Sequence, residues 1–268
     1  MKLHEFFTLH PVFTLDELDK FLMQRGKFNR QTRDALLKYY RNNGRIIPIR
    51  RRLYAVVSTG ASPEMSPVDP FLLAGKITPD AILAYHTALE LHGRAYSAFN
   101  RFTFLSSHQV LPLSFRAFEF QRVLMPCSLR MKKKETYGVI KIERQGIEIL
   151  VTGLERTLVD VLDRPDLCGS WEEIWRSLES IEFFDLDCVV EYVLLLENAT
   201  TSAKVGFFLE QHREALMVDD KHLKLLHDFR PRNPHYLEKG HRENNCFVSK
   251  WNLVVPREVF DRSWEQVP

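Results

Sequence analysis

No apolar run in this chain is long enough to cross a bilayer: the longest, such as VVEYVLLLE at 189–197, carry charges and fall short of the ~18–20 residues that a span needs. The first residues, MKLHEFFTLHPVF, mix His, Glu and Lys into the apolar positions and lack the uninterrupted core of a signal peptide, so a cytoplasmic protein without membrane contact is expected. Cysteine is scarce. Cys127, Cys168, Cys188 and Cys246 stand far apart with no C-x-x-C pair, which signals neither a zinc site nor a disulfide framework and predicts reduced, mostly buried thiols. There is no internal repeat and no low-complexity tract. Net charge is also small, +2 over 268 residues, and with 45% hydrophobic and 27% charged residues the chain reads as globular and long enough for two domains.

The near-zero total hides an uneven distribution. Between Arg25 and Tyr54 there are ten basic residues against one acid, Asp34, so this segment carries +9 and the remainder −7. A local positive stripe of this kind attracts polyanions although the whole molecule is almost neutral.

The same segment has a clear order of elements. In FTLDELDKFL (13–22), Thr14 and Glu17 form a capping box, and Phe13 and Leu18 occupy the positions of a hydrophobic staple. This helix ends around Gly26. Asn29 caps another, NRQTRDALLKYYRNNG, whose apolar stripe is Leu36, Leu37 and Tyr40. RIIPI and LYAV then read as a two-stranded hairpin, with Pro48 suited to an edge strand. Helix, helix, turn, helix, hairpin is the order of a winged helix-turn-helix.

In that arrangement Arg30, Gln31, Asp34, Lys38 and Arg41 share the face of the third helix opposite its apolar stripe. Arginine and glutamine suit guanine and adenine edges in the major groove, and base contacts cluster at the N-terminal turn of a recognition helix. The candidate DNA contacts are therefore Asn29, Arg30, Gln31, Arg33, Lys38 and Arg41 on the helix. On the hairpin tip they are Arg50, Arg51 and Arg52, where guanidinium groups meet the backbone or minor groove. A solvated helix with an Asp34–Lys38 pair is the bland alternative. Tyr54 is expected to pack under the hairpin.

STGASPEMSPVD is small, polar and proline-containing, a linker composition. The expected domains are residues 1–58, a linker at 59–69, and 70–268. Beyond the linker, TPDAILAYHTALELHG reads as a helix capped by Thr78 with Pro79 at its first position. RFTFLSS, FRAFEFQRVLM, YGVIKIER and GIEILVT have strand periodicity, the last two joined by Gln145-Gly146 as a tight turn. Residues 154–228 are mostly amphipathic helix, and FVSKWNLVVP returns to strand. The fold class is thus α+β: an N-terminal winged helix-turn-helix, then a larger α+β domain with a mostly antiparallel sheet and a helical half.

A second basic cluster, Arg116, Arg122, Arg130, Lys132, Lys133 and Lys134, falls in the β-rich part. Of these, Arg130, Lys132, Lys133 and Lys134 can serve as an auxiliary DNA or partner contact, and a solvated strand edge fits equally. Catalytic readings are weaker. Glu155 and Asp160 lie five apart in a helix and point in different directions, so a local Glu155–Arg156 network is expected. Gly169-Ser170 followed by Asp185-Leu186-Asp187 is reminiscent of nucleotidyltransferase metal ligands, but Asp185 suits a helix N-cap. His86 and His92, six apart, are poorly spaced for one metal. No catalytic residue, metal or cofactor is assigned.

Four blocks resemble the AbiEi family of antitoxins and transcriptional repressors in type IV toxin–antitoxin, phage-defence operons: DPFLLAGKITPDAILAYHTALELHG (69–93), VTGLERTLVDVLDRPDLCGS (151–170), KVGFFLE (204–210) and WNLVVP (251–256). They stand in the family's order and, with the winged helix, span nearly the whole chain. The resemblance implies an autorepressor that binds double-stranded operator DNA, with inverted repeats, and antagonises a co-encoded nucleotidyltransferase toxin, thought to proceed without a stable complex. Many relatives carry Arg-Gly-Leu-Tyr where this chain has Arg51-Arg52-Leu53-Tyr54, and two glycines where it has Gly169-Ser170. Two other functions stay open: a winged-helix regulator whose α+β domain senses a small effector, and a nuclease or nucleotidyltransferase.

Overall fold

The computed structural model describes residues 3–26, 28–238 and 244–265. Its helices are α1 (His4–Leu9), α2 (Leu15–Gln24), α3 (Arg30–Asn42), α4 (Pro70–Lys76), α5 (His86–Leu91), α6 (Cys127–Met131), α7 (Leu154–Asp163), α8 (Trp171–Glu179), α9 (Leu186–Leu196), α10 (Ala199–Gln211), α11 (Asp220–Asp228) and α12 (Arg257–Asp261). Its strands are β1 (Val12–Thr14), β2 (Ile46–Arg50), β3 (Leu53–Val56), β4 (Ile82–Leu83), β5 (Arg101–Ser106), β6 (Leu113–Phe115), β7 (Phe118–Leu124), β8 (Val139–Arg144), β9 (Ile147–Thr152), β10 (His235–Tyr236), β11 (Asn245–Val248) and β12 (Leu253–Pro256). The architecture is α+β with antiparallel-rich sheets.

The chain divides into two compact units, one of Met1–Leu83, Asn100–Arg122 and Lys141–Leu150, the other of Ala84–Phe99, Val123–Ile140 and Val151–Pro268. In the first, Thr14 and Glu17 form the expected capping box: the Thr14 hydroxyl accepts from the Glu17 N–H (3.3 Å), and the Glu17 carboxylate accepts from the Thr14 N–H (2.7 Å). Phe13 and Leu18 are fully buried beside it. They join Leu3, Phe6, Phe7, Leu22 and Ile46 in a core against which Leu36, Leu37, Tyr40 and Tyr54 pack. Tyr54 lies on Phe13 with ring centroids 5.3 Å apart, under the hairpin as the sequence suggests. The small sheet has the order β1-β3-β2, so Pro48 is on an edge strand where no ladder bond is lost.

Residues 58–69 are fastened within this same unit. Ser66 is fully buried and its hydroxyl accepts from the Ser58 N–H at 2.8 Å. Arg116 donates to the carbonyls of Pro63 (2.7 Å) and Ser66 (2.6 Å). Asp69 caps α4 through the N–H groups of Phe71 and Leu72, and its second oxygen accepts from Arg144 at 2.6 Å. The larger sheet runs β6-β7-β5-β4-β9-β8. Its β8–β9 turn has positive φ at both Gln145 (52°) and Gly146 (77°), the signature of a two-residue hairpin that matches strand twist.

One element departs from expectation. Residues 78–93 do not form a single helix: Ile82 and Leu83 pair with Leu105 and Phe104 of β5, and only His86–Leu91 is helical. Ile82 and Leu83 are buried with strands on either side, so sheet burial overrides the helical pattern. The cysteines are free as expected but not mostly buried, since Cys127 and Cys188 are exposed and only Cys168 is sealed.

The second unit is built on α7 to α11, with Trp175, Tyr192, Phe208 and Trp251 fully buried. The indole of Trp251 packs against α10 at Gly206, and its N–H donates to Glu210 at 2.6 Å. A methyl group on Gly206 would stand 2.2 Å from that ring. Gly→Ala within a helix ordinarily gains up to ~1 kcal/mol. Here Gly206→Ala is expected to lose roughly 1–3 kcal/mol through overpacking. Urea unfolding of the variant checks the sign.

Candidate nucleic-acid interface

Helix α3 starts where Asn29 turns its side-chain oxygen onto the Gln31 N–H at 2.8 Å. That cap leaves Asn29 in a local structural role. Along the helix, Arg30, Gln31, Lys38 and Arg41 are exposed, and none of their side chains has a hydrogen-bond or ion-pair partner among the described residues. Arg33 is different. Its guanidinium is only 12% exposed and is held by Asp19 at 2.8 Å and Asp34 at 2.9 Å, which fastens α3 to α2. Asp34 thus pairs with Arg33 and not with Lys38.

The hairpin tip separates its three arginines. Arg51 is exposed without a partner among the described residues. Arg52 donates to Asp16 at 2.5 Å, and its carbonyl accepts from the Leu15 N–H at 2.8 Å. Arg50 is half-buried, with Nη1 sealed from solvent and lacking a partner among the described residues. The backbone at Arg52 is left-handed, φ 69°, in a turn where the ladder shifts register between Pro48 and Arg50. Glycine adopts that conformation freely; arginine does so at a cost.

Beside the tip lies a cleft of about 960 Å³, lined by the hairpin arginines, α2 residues including Asp19 and Lys20, and Lys76 with its neighbours. Lys76 is nearly buried and bonds Glu17 at 2.6 Å. No sequence motif marks this cleft, because its walls come from four separate segments, 14–23, 50–53, 75–79 and 147–148, that meet only on folding.

The second basic cluster is divided between the two units. Arg116 is bound to the 63–66 carbonyls as above, and Arg122 donates to the Ser106 and His108 carbonyls at 3.3 and 3.2 Å, both within the first unit. Arg130, Lys132, Lys133 and Lys134 belong to the second, on α6 and the turn after it rather than on a strand. Arg130 donates to the Met125 carbonyl at 3.2 Å and Lys132 to Glu197 at 2.7 Å; Lys133 and Lys134 stand exposed.

The carboxylate candidates have structural partners. Asp160 is buried, accepting from Tyr192 O–H at 2.7 Å and from Arg156 Nε at 3.4 Å. The partner of Arg156 is therefore Asp160 and not Glu155, because residues four apart share a helix face. Burial raises the Asp160 carboxyl above the usual carboxylate range, against the lowering pull of Arg156. Glu155 instead accepts from the Asp185 N–H at 3.3 Å. Asp185 caps α9 through the Cys188 N–H at 3.1 Å. His86 lies between Glu90 (3.0 Å) and Glu173 (3.1 Å), stacked on Phe99, whereas His92 meets the Thr152 carbonyl at 2.7 Å. Among the described residues no group of three or more His, Cys, Asp or Glu could hold a metal, and no helix is long and apolar enough to cross a membrane.

No family model and no curated relative matches the chain. Among solved structures it is similar to the crystal structure of RV2827C protein from Mycobacterium tuberculosis, with a TM-score of 0.62 and 16% identity over 97% of this chain and 92% of that one. The two share a fold. At that identity the likeness extends to architecture alone.

Two substitutions test the local geometry. Arg52→Gly relieves the left-handed backbone and loses only an exposed ion pair, 51% and 69% open on its two sides, which contributes little. A gain of about 1 kcal/mol in denaturant unfolding is expected. Asp160→Ala leaves a buried guanidinium unmatched, for which a loss of roughly 3–5 kcal/mol is expected in the same assay.

Proposed function

We propose that this chain is a DNA-binding transcriptional regulator, with residues 1–58 acting as a winged helix-turn-helix in the cytoplasm. The observation that carries this reading is the exposed, unpaired row of Arg30, Gln31, Lys38 and Arg41 on a helix whose opposite face is packed into its own core. A protein surface of this composition costs repulsion in isolation and gains most beside a polyanion. Gln31 and Arg30, in the first turn, are the base-reading pair; Lys38 and Arg41 contact phosphates; Arg51 extends the contact from the hairpin tip. The four sequence blocks add the rest of the proposal: repression of the protein's own operon at inverted repeats, and antagonism of a co-encoded nucleotidyltransferase toxin.

Binding to the DNA upstream of the gene, followed by fluorescence anisotropy between 50 and 200 mM salt, separates the roles. Each phosphate contact contributes about 0.9 to the slope of log affinity against log salt. Arg51→Ala is expected to flatten the slope by about one unit. Replacing all three tip arginines adds less than a further two units, because Arg52 already rests on Asp16. Arg30→Ala or Gln31→Ala lowers affinity for the preferred sequence by roughly 1–3 kcal/mol and leaves random DNA nearly unchanged. Arg33→Ala acts on stability, since it releases Asp19. Unchanged affinity and slope in the Arg30, Gln31 and Arg51 variants would remove the DNA reading. Failure of the well-folded chain to protect cells expressing the adjacent nucleotidyltransferase would remove the antitoxin reading alone.

A further inference from the structure

Buried polar atoms without partners are rare in folded proteins, and each calls for an explanation. Two of them belong to side chains lining the cleft beside the hairpin tip: Nη1 of Arg50, a donor, and Oδ1 of Asp19, an acceptor. They do not satisfy each other, as no ion pair joins them. The second oxygen of Asp19 holds Arg33 of α3, and Arg50 ends strand β2. The orphaned pair thus stands on the anchors of both elements assigned to DNA.

The other charges of the cleft are unequally matched. Asp16 is paired with Arg52, Glu17 with Lys76 and Glu148 with Lys141. Lys20, Arg50 and Arg51 have no ion-pair partner among the described residues, leaving three positive charges over. A volume of about 960 Å³ lies at the upper end of the range for small-molecule sites. Both orphaned atoms are closed to solvent, so an occupant meets them only once the two side chains turn into the cleft; the chemistry then selects an anionic group with several acceptor oxygens for Arg50 and Lys20, and a hydroxyl donor for Asp19.

We propose that this cleft binds a small phosphate ester bearing free hydroxyls, such as a sugar phosphate or nucleotide, and that its binding opposes DNA binding. The second half rests on the DNA-binding reading: a phosphate drawn to Lys20, Arg50 and Arg51 neutralises the tip that meets the DNA backbone, and linkage makes the two ligands antagonistic in both directions.

The test is calorimetric titration of the full chain at fixed ionic strength with ribose 5-phosphate, AMP and inorganic phosphate, followed by anisotropy on DNA. One of the two esters is expected to bind at a single site about tenfold more tightly than inorganic phosphate, and Arg50→Ala and Lys20→Ala each weaken it by about tenfold. Ester held a few-fold above its wild-type Kd raises the Kd for DNA in the wild type and changes it little in Lys20→Ala, a variant outside the DNA face. If Arg50→Ala fails to fold, Lys20→Ala carries the comparison. Equal affinity for the esters and inorganic phosphate, an adventitious ion only, overturns the site, and so does unaltered ester binding in the folded variants or no ester binding at all. Ester binding without effect on DNA overturns the antagonism. DNA binding without ester binding sinks this inference and leaves the proposed function standing; ester binding by a chain that binds no DNA sinks the proposed function and the antagonism with it, and leaves the ester site standing.

Discussion

A guanidinium removed from water must be met on every side, and in the helical unit Arg156 sets that requirement. It is fully buried, bonds Asp160 along α7, and donates to the Glu135 and Tyr137 carbonyls at 2.9 and 2.6 Å. Its charged plane lies 5.3 Å from the Tyr192 ring, whose hydroxyl closes the circuit on Asp160. Gly138 must be bare beside it, since a Cβ there would come within 3.0 Å of the Arg156 stem. Three segments are thereby committed to one arrangement: the 135–138 turn, α7 and α9. Such a network stabilises less than an apolar core of the same volume, but it leaves little freedom for alternative packings of the helices around it.

What could be read in the sequence was local. The Thr14–Glu17 box, the Asn29 and Asp185 caps and the Gln145-Gly146 turn are each settled within about four residues, and each forms as its residues dictate. Residues 78–93 show the limit. Their spacing suits a helix, yet Ile82 and Leu83 are drawn into the sheet by β5, whose partners Leu105 and Phe104 arrive 23 and 21 residues later. The identity of Arg156's partner was one helical turn away and still went to the wrong carboxylate, because adjacency in sequence is not adjacency on a helix.

The basic residues divide by what surrounds them. On α3 the apolar stripe fixes which side faces outward, so Arg30, Gln31, Lys38 and Arg41 could be placed from the sequence. Arg33 could not, because its engagement depends on Asp19 of another helix. Arg116 and Arg122 behave likewise: both serve backbone carbonyls, and a count of positive charge does not register that use. Only the geometry separates an arginine that anchors a loop from one that is free for a partner.

The strained turn at the hairpin tip has a thermodynamic side. Arg52 holds a left-handed conformation, its carbonyl fixed by Leu15 and its guanidinium by Asp16, so the tip backbone is ordered before any partner arrives. Ordering a loop at the moment of association subtracts from affinity; here that conformational entropy was surrendered during folding. Under the proposed DNA-binding role the tip would meet its target preorganised, and the fold's own stability bears the cost.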